Sequence, residues 1–257
     1  MTVVLAGLFG LLIGSFLNVV VWRVPRGESI VSPPSHCPGC DAPIAPRDNV
    51  PVVSWLLLRG RCRHCGEPIS VRYPLVELLT GGVFAALAAR VGLDWALPAY
   101  LYLGAVLVAL ALIDLEHKRL PNVLTLPSYA AGIVLLGAAA LLDGEPEVML
   151  RALVGMAVLW GVYALLRLAH PKGMGYGDVK LAGVLGLYLA YLGWRTWFAG
   201  WLLGFLLGGV FGVVAILVGR AGRKTKVPFG PFMIVGAFVA ILWGEALADW
   251  YLRLTGV

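Results

Sequence analysis

Eight long apolar runs constrain this chain more than any other feature. They lie near residues 3–22, 76–93, 96–113, 123–142, 148–168, 181–194, 197–218 and 231–250. A helix needs about 20 apolar residues to cross roughly 30 Å of hydrocarbon. All but the sixth run meet that length or approach it. Gly193-Trp194-Arg195 reads as a tight turn that separates the sixth from the seventh. The composition agrees: 60% of residues are hydrophobic and 13% charged, against roughly 45–50% and about 25% in a soluble domain. The expected fold is therefore an all-α polytopic membrane protein of about eight transmembrane helices. No internal repeat and no low-complexity tract interrupts the pattern.

Charge placement orients the helices. Sixteen of the 20 Lys and Arg residues fall in the alternate segments 23–74, 114–122, 167–180 and 219–226. The opposite side holds Arg90, Arg151, Arg195 and Arg253, with the acidic turn Asp143-Gly144-Glu145-Pro146-Glu147. Basic loops stay in the cytoplasm. Eight spans with both termini outside satisfy that rule, whereas seven would strand Arg220–Lys226 on the wrong side. The first run lacks a basic leader and a small-residue cleavage site, so it reads as a retained helix. The net charge of +6 comes with no nucleic-acid motif and no basic stripe interleaved with aromatics, which excludes a nucleic-acid partner.

Three parts result: a first helix (1–22), a water-exposed segment (23–74) and a membrane domain (75–257). The segment is rich in Pro and Gly and too short for a large core. It holds all four cysteines, as Cys37-Pro-Gly-Cys40 and Cys62-Arg-His-Cys65. A two-residue gap turns two thiolates onto one tetrahedral ion, and a bound ion closes a loop that lacks a core. Structural zinc in a ribbon-like segment is the expectation. Two disulfides are the alternative, disfavoured in a reducing compartment, and a redox pair would not need two copies. Gly39 and Gly66 are expected to supply tight turns. His36 and His64 flank the knuckles as surface or supporting groups. The segment's net charge of +3 suits anionic lipid headgroups.

Two carboxylates lie at matched depth. Asp114 ends the third run and Asp178 opens the sixth, in Gly175-Tyr176-Gly177-Asp178-Val179-Lys180. The third helix runs inward and the sixth outward, so both aspartates sit at the cytoplasmic face. Ionisable groups at membrane depth are functional candidates. Two aspartates sharing one site divide the work of acid and base. Gly175 and Gly177 would let a substrate backbone approach Asp178, and Lys180 completes the candidate substrate-contacting set. Solvated interfacial carboxylates, a cation pathway or a non-enzymatic docking factor are the alternatives. A transporter would place its carboxylates near the midplane, which disfavours it. Glu77, after Arg72, is expected to brace the exposed segment. Gly14, Ser15 and Asn18 suit close helix packing.

The ordered motifs resemble those of the type IV prepilin peptidases over nearly the whole chain. They comprise Gly14-Ser15-Phe16-Leu17-Asn18, both cysteine knuckles, Ser54-Trp55 through Cys62, Arg72-Tyr73-Pro74-Leu75-Val76-Glu77, and Asp114 with Leu120-Pro121-Asn122. The Gly-x-Gly-Asp motif at Asp178 and Pro228-Phe229-Gly230-Pro231-Phe232 complete the set. The resemblance implies an aspartic endopeptidase of the cytoplasmic membrane, serving type IV pilus or type II secretion, with Asp114 and Asp178 catalytic. Its substrates would be prepilins or pseudopilins, cut between a leader glycine and a hydrophobic helix. It also implies N-methylation of the new N-terminal residue by S-adenosylmethionine. No nucleotide fingerprint supports that half, and Gly60 is the suggested cofactor contact, a tight turn before Cys62 being the equal alternative.

Overall fold

A computed structural model describes residues 1–171, 173–218 and 228–255. Lys172 and the basic loop Arg220–Lys226 lie outside the described residues. The described residues form α1 (Thr2–Arg23), a short α2 (Val53–Leu57), α3 (Arg72–Val91), α4 (Leu97–His117) and α5 (Asn122–Leu142). There follow α6 (Pro146–Ala169), α7 (Tyr176–Leu192), α8 (Trp194–Leu217) and α9 (Gly230–Thr255). Among them there is no strand, only the isolated bridges His36–Pro43 and Arg61–Pro68.

Among the described residues, seven helices are long and apolar enough to cross a membrane. The expected eighth is α7, whose 17 residues span about 26 Å at 1.5 Å per residue. It is shorter than its neighbours yet buried along most of its length, from Asp178 to Ala190. Its C-terminus falls at the expected turn: Leu192 is the last helical residue and Gly193 carries φ 142°. The guanidinium of Arg151, on α6, donates to the carbonyls of Ala190 (2.7 Å) and Tyr191 (2.6 Å). These carbonyls have no helical partner of their own, so an arginine that reads in the sequence as a stray outside charge caps this helix.

The chain divides into two compact units, Met1–Leu93 and Asp94–Val257. Within the first unit, α3 packs along α1. Asn18 of α1 donates to the Tyr73 carbonyl at 3.2 Å, and Phe9 packs on Phe84. A side chain at Gly14 would come within 2.6 Å of the Glu77 backbone, so that position tolerates only glycine at this helix separation. Glu77 accepts the Val52 amide at 2.7 Å, which ties α3 to the cysteine segment as expected. In the second unit, α7 lies against α5, α6, α8 and α9. Tyr100 of α4 donates to the Tyr188 carbonyl at 2.9 Å, and Tyr129 of α5 to that of Lys180 at 2.6 Å.

Candidate functional site

Both aspartates belong to the second unit, and different helix ends deliver them. Asp114 lies in the last turn of α4. That helix stops at Lys118, whose φ of 52° closes a left-handed cap with its amide on the Asp114 carbonyl at 2.9 Å. Asp178 lies in the first turn of α7. Its Oδ2 accepts the Gly175 amide at 3.1 Å, the usual service of an acidic side chain to the free amides of a helix start. Asp114 is 5% exposed and Asp178 8%. They are close enough for the charge of Asp114 to act on Asp178. Sixty-four residues apart in sequence, they form one buried carboxylate pair.

The start of α9 supplies a third wall. The Gly230 amide faces the Asp114 carboxylate, and a β-carbon on Gly230 would lie 2.6 Å from Asp114 Oδ2. That oxygen is buried without a hydrogen-bond partner. Leu120 fills the gap between helices: β-carbons on Gly177 and Gly230 would meet it at 2.9 Å and 3.4 Å. Behind Asp178 stands Tyr163 of α6, buried and within electrostatic reach of the carboxylate. Its ring packs on Phe205 (5.4 Å) and Phe229 (6.4 Å).

The other expected contacts divide. Gly175 is exposed at the rim and Gly177 faces Leu120, so both stand beside Asp178. A β-carbon at Gly175 would lie 3.0 Å from Asp178 Oδ2. Lys180 turns sideways: its Nζ donates to Asn122 Oδ1 at 2.6 Å and lies 4.6 Å from the Tyr176 ring centre, near Arg167. Tyr163 escaped the sequence reading, and Leu120, Phe229 and Gly230 entered it only as parts of motifs, with no role given to them. The only signal was the Phe-Gly-Pro run before the last helix, which by itself reads as a helix entry.

In the first unit, the sulfurs of Cys37, Cys40, Cys62 and Cys65 all lie within 4.8 Å of one another. The cysteines are free thiols, so the disulfide alternative does not hold. The two knuckles repeat one geometry. Cys37 donates its amide to Ala42 and Cys62 to Glu67, at 3.0 and 2.8 Å. The tight turn falls on Asp41 (φ 54°) and on Gly66 (φ 75°). The turn expected at Gly39 is therefore carried by Asp41, while Gly39 packs under Glu67. The amides of Cys65 and His64 pull the Cys62 thiol down to about 6. At Cys65 the Glu67 amide favours the thiolate, but desolvation and the three neighbouring thiols push it up to about 12. Four sulfurs this close cannot all ionise without a cation among them, and the donor set suits a soft or borderline metal. Arg63 anchors the knuckle to Asp48 at 2.6 Å and holds that carboxyl below its ordinary range.

Gly60 occupies the turn between α2 and the second knuckle, at φ 65°. A β-carbon there would lie 2.8 Å from Trp55 Cζ2. Trp55 Nε1 in turn donates to the Ile69 carbonyl at 3.0 Å. The turn and the indole both require glycine at this position.

Fold and site together define a polytopic membrane protein built around a buried carboxylate pair, with a four-cysteine appendage. Comparison with known proteins gives the family. Residues 8–91 match the bacterial peptidase A24 N-terminal domain, and residues 101–213 match the type IV leader peptidase family. The prepilin leader peptidase/N-methyltransferase of Aeromonas hydrophila is 41% identical over 95% of this chain and 92% of its own length. Those of Pseudomonas aeruginosa and Neisseria gonorrhoeae are 38% and 35% identical, over 97% and 96% of the chain and 93% and 94% of their own lengths. The chain belongs to the type IV leader peptidase family. No solved structure matches it significantly.

Proposed function

We propose that Asp114 and Asp178 are the catalytic pair of a membrane endopeptidase that removes the leader peptide of prepilins or pseudopilins. One observation carries this reading: two aspartates from distant helix ends are buried together, with one carboxylate oxygen left free. The ionised carboxylate takes a proton from water as the water oxygen adds to the scissile carbonyl carbon. The protonated carboxyl gives its proton to the carbonyl oxygen. Collapse of the tetrahedral intermediate breaks the C–N bond: one of its hydroxyls returns a proton to the second carboxylate, and the first carboxyl delivers its proton to the leaving nitrogen. Gly175, exposed at the rim, leaves room for the substrate backbone beside Asp178, Gly177 lets Leu120 close in under it, and Lys180 lies at the rim of that approach.

The position of the pair at helix ends supports a site at one face of the membrane rather than a cation path through its middle. Basic residues on alternate loops support a cytoplasmic face, both termini outside, and residence in a bacterial inner membrane with anionic lipid around the exposed segment. The four thiols would hold zinc tetrahedrally in a closed structural site, with no open position for chemistry. The enzyme also N-methylates the new N-terminal residue, with S-adenosylmethionine as donor. We assign that step to the first unit, where Gly60 is the candidate cofactor contact.

The test is incubation of purified protein with a prepilin, with and without S-adenosylmethionine, read by mass spectrometry. The expected product is a chain cut after the leader glycine, methylated only when the donor is present. An intact prepilin would overturn the reading.

A further inference from the structure

We infer that the Phe229–Gly230 step at the start of α9 is the positioning element for Asp114. The inference rests on the peptidase reading above. Its ground is the contact between an almost wholly buried carboxylate and a helix start. Asp114 is 5% exposed, its Oδ2 has no hydrogen-bond partner, and the Gly230 amide faces it. Pro231 follows, and proline has no N–H. The Phe232 and Met233 amides are turned back onto the Phe229 carbonyl, at 3.1 and 3.3 Å. Gly230 therefore carries the α9 amide left facing Asp114, without a hydrogen bond to its Oδ2.

Size matters as much as the donor. Any β-carbon at residue 230 would sit 2.6 Å from Oδ2, inside van der Waals contact, and would displace the oxygen that the reaction uses. Two helices, α6 and α8, hold Gly230 in place through its neighbour. The Phe229 ring stacks on Phe205 at 5.4 Å and Tyr163 at 6.4 Å. It also lies over Gly208, where a β-carbon would come within 2.7 Å of it. Tyr163 is the residue behind Asp178. One aromatic cluster from α6, α8 and α9 therefore backs both carboxylates, and the two are held in register by the same packing.

The decisive variant is Gly230→Ala in the full-length protein. A misplacement of about 1 Å costs roughly 100-fold in rate, so kcat for prepilin cleavage should fall about 100-fold with KM little changed. Thermal stability, and methylation of a pilin segment that already has its mature N-terminus, should stay at the wild-type level. Gly209→Ala and Gly212→Ala, where a β-carbon meets nothing within 4 Å, should behave as wild type. Phe229→Leu, which loses the stacked ring, should show the same kcat-specific defect in weaker form. Should Gly230→Ala fail to fold, Phe229→Leu decides on these criteria. Wild-type cleavage by Gly230→Ala overturns the inference, as does a kcat loss matched by equal losses of stability and methylation. Undiminished cleavage by Asp114→Asn would overturn the peptidase assignment itself, a separate result.

Discussion

Asp114 and Asp178 reach their shared site by opposite local routes, one at the end of a helix and one at the beginning of another. Asparagine at either position keeps the size and removes the acid–base cycle. Each single variant should lose cleavage almost completely while still folding, and the double variant should be scarcely worse, since groups that act as a unit are not additive. Initial rates on a prepilin measure this. The activity of the wild-type enzyme should be bell-shaped in pH, with both limbs belonging to the pair. The two aspartates were legible because charge is rare in apolar sequence and their depth follows from helix direction. Gly230 was not legible, because a glycine carries no chemistry of its own. Its significance comes from an Asp114 oxygen 2.6 Å from where its side chain would start.

At the scale of elements, α7 and the cysteine segment are stabilised by different means. α7 depends on close helix approach: a β-carbon at Gly186 would lie 2.5 Å from the Gly155 carbonyl of α6. Gly186→Val should therefore destabilise the protein by about 1–3 kcal/mol or more and lower the thermal midpoint, unlike Gly137→Ala on the open face of α5. The cysteine segment, on the metal-site reading proposed above, depends on a bound ion. Purified protein should carry one zinc per chain, with Zn–S near 2.3 Å by X-ray absorption. Cys62→Ser, or prolonged chelation, should remove it and leave the segment protease-sensitive. The knuckles were plain from spacing alone. That Asp41 rather than Gly39 takes the left-handed turn was not, since aspartate also tolerates that conformation and only the backbone path chooses between them.

At the scale of the whole molecule, two compact units hold the two proposed sites. The aspartates lie in Asp94–Val257 and the thiols in Met1–Leu93. Cys62→Ser should abolish methylation while cleavage is retained at least in part. Asp178→Asn should still methylate a substrate whose mature N-terminus is already free. Equal loss of both activities in both variants would contradict this division. The polytopic helical fold, the helix ends and the four-cysteine cluster were determined by sequence, because bilayer thickness and ligand spacing act locally along the chain. Tertiary structure decided what depends on distant segments meeting. It joined α3 to α1, turned Arg151 into the cap of α7, drew Lys180 aside onto Asn122 and set Gly230 against Asp114. Contacts of that kind arise from how helices of fixed length and small-residue faces pack, and no local pattern in either partner encodes them.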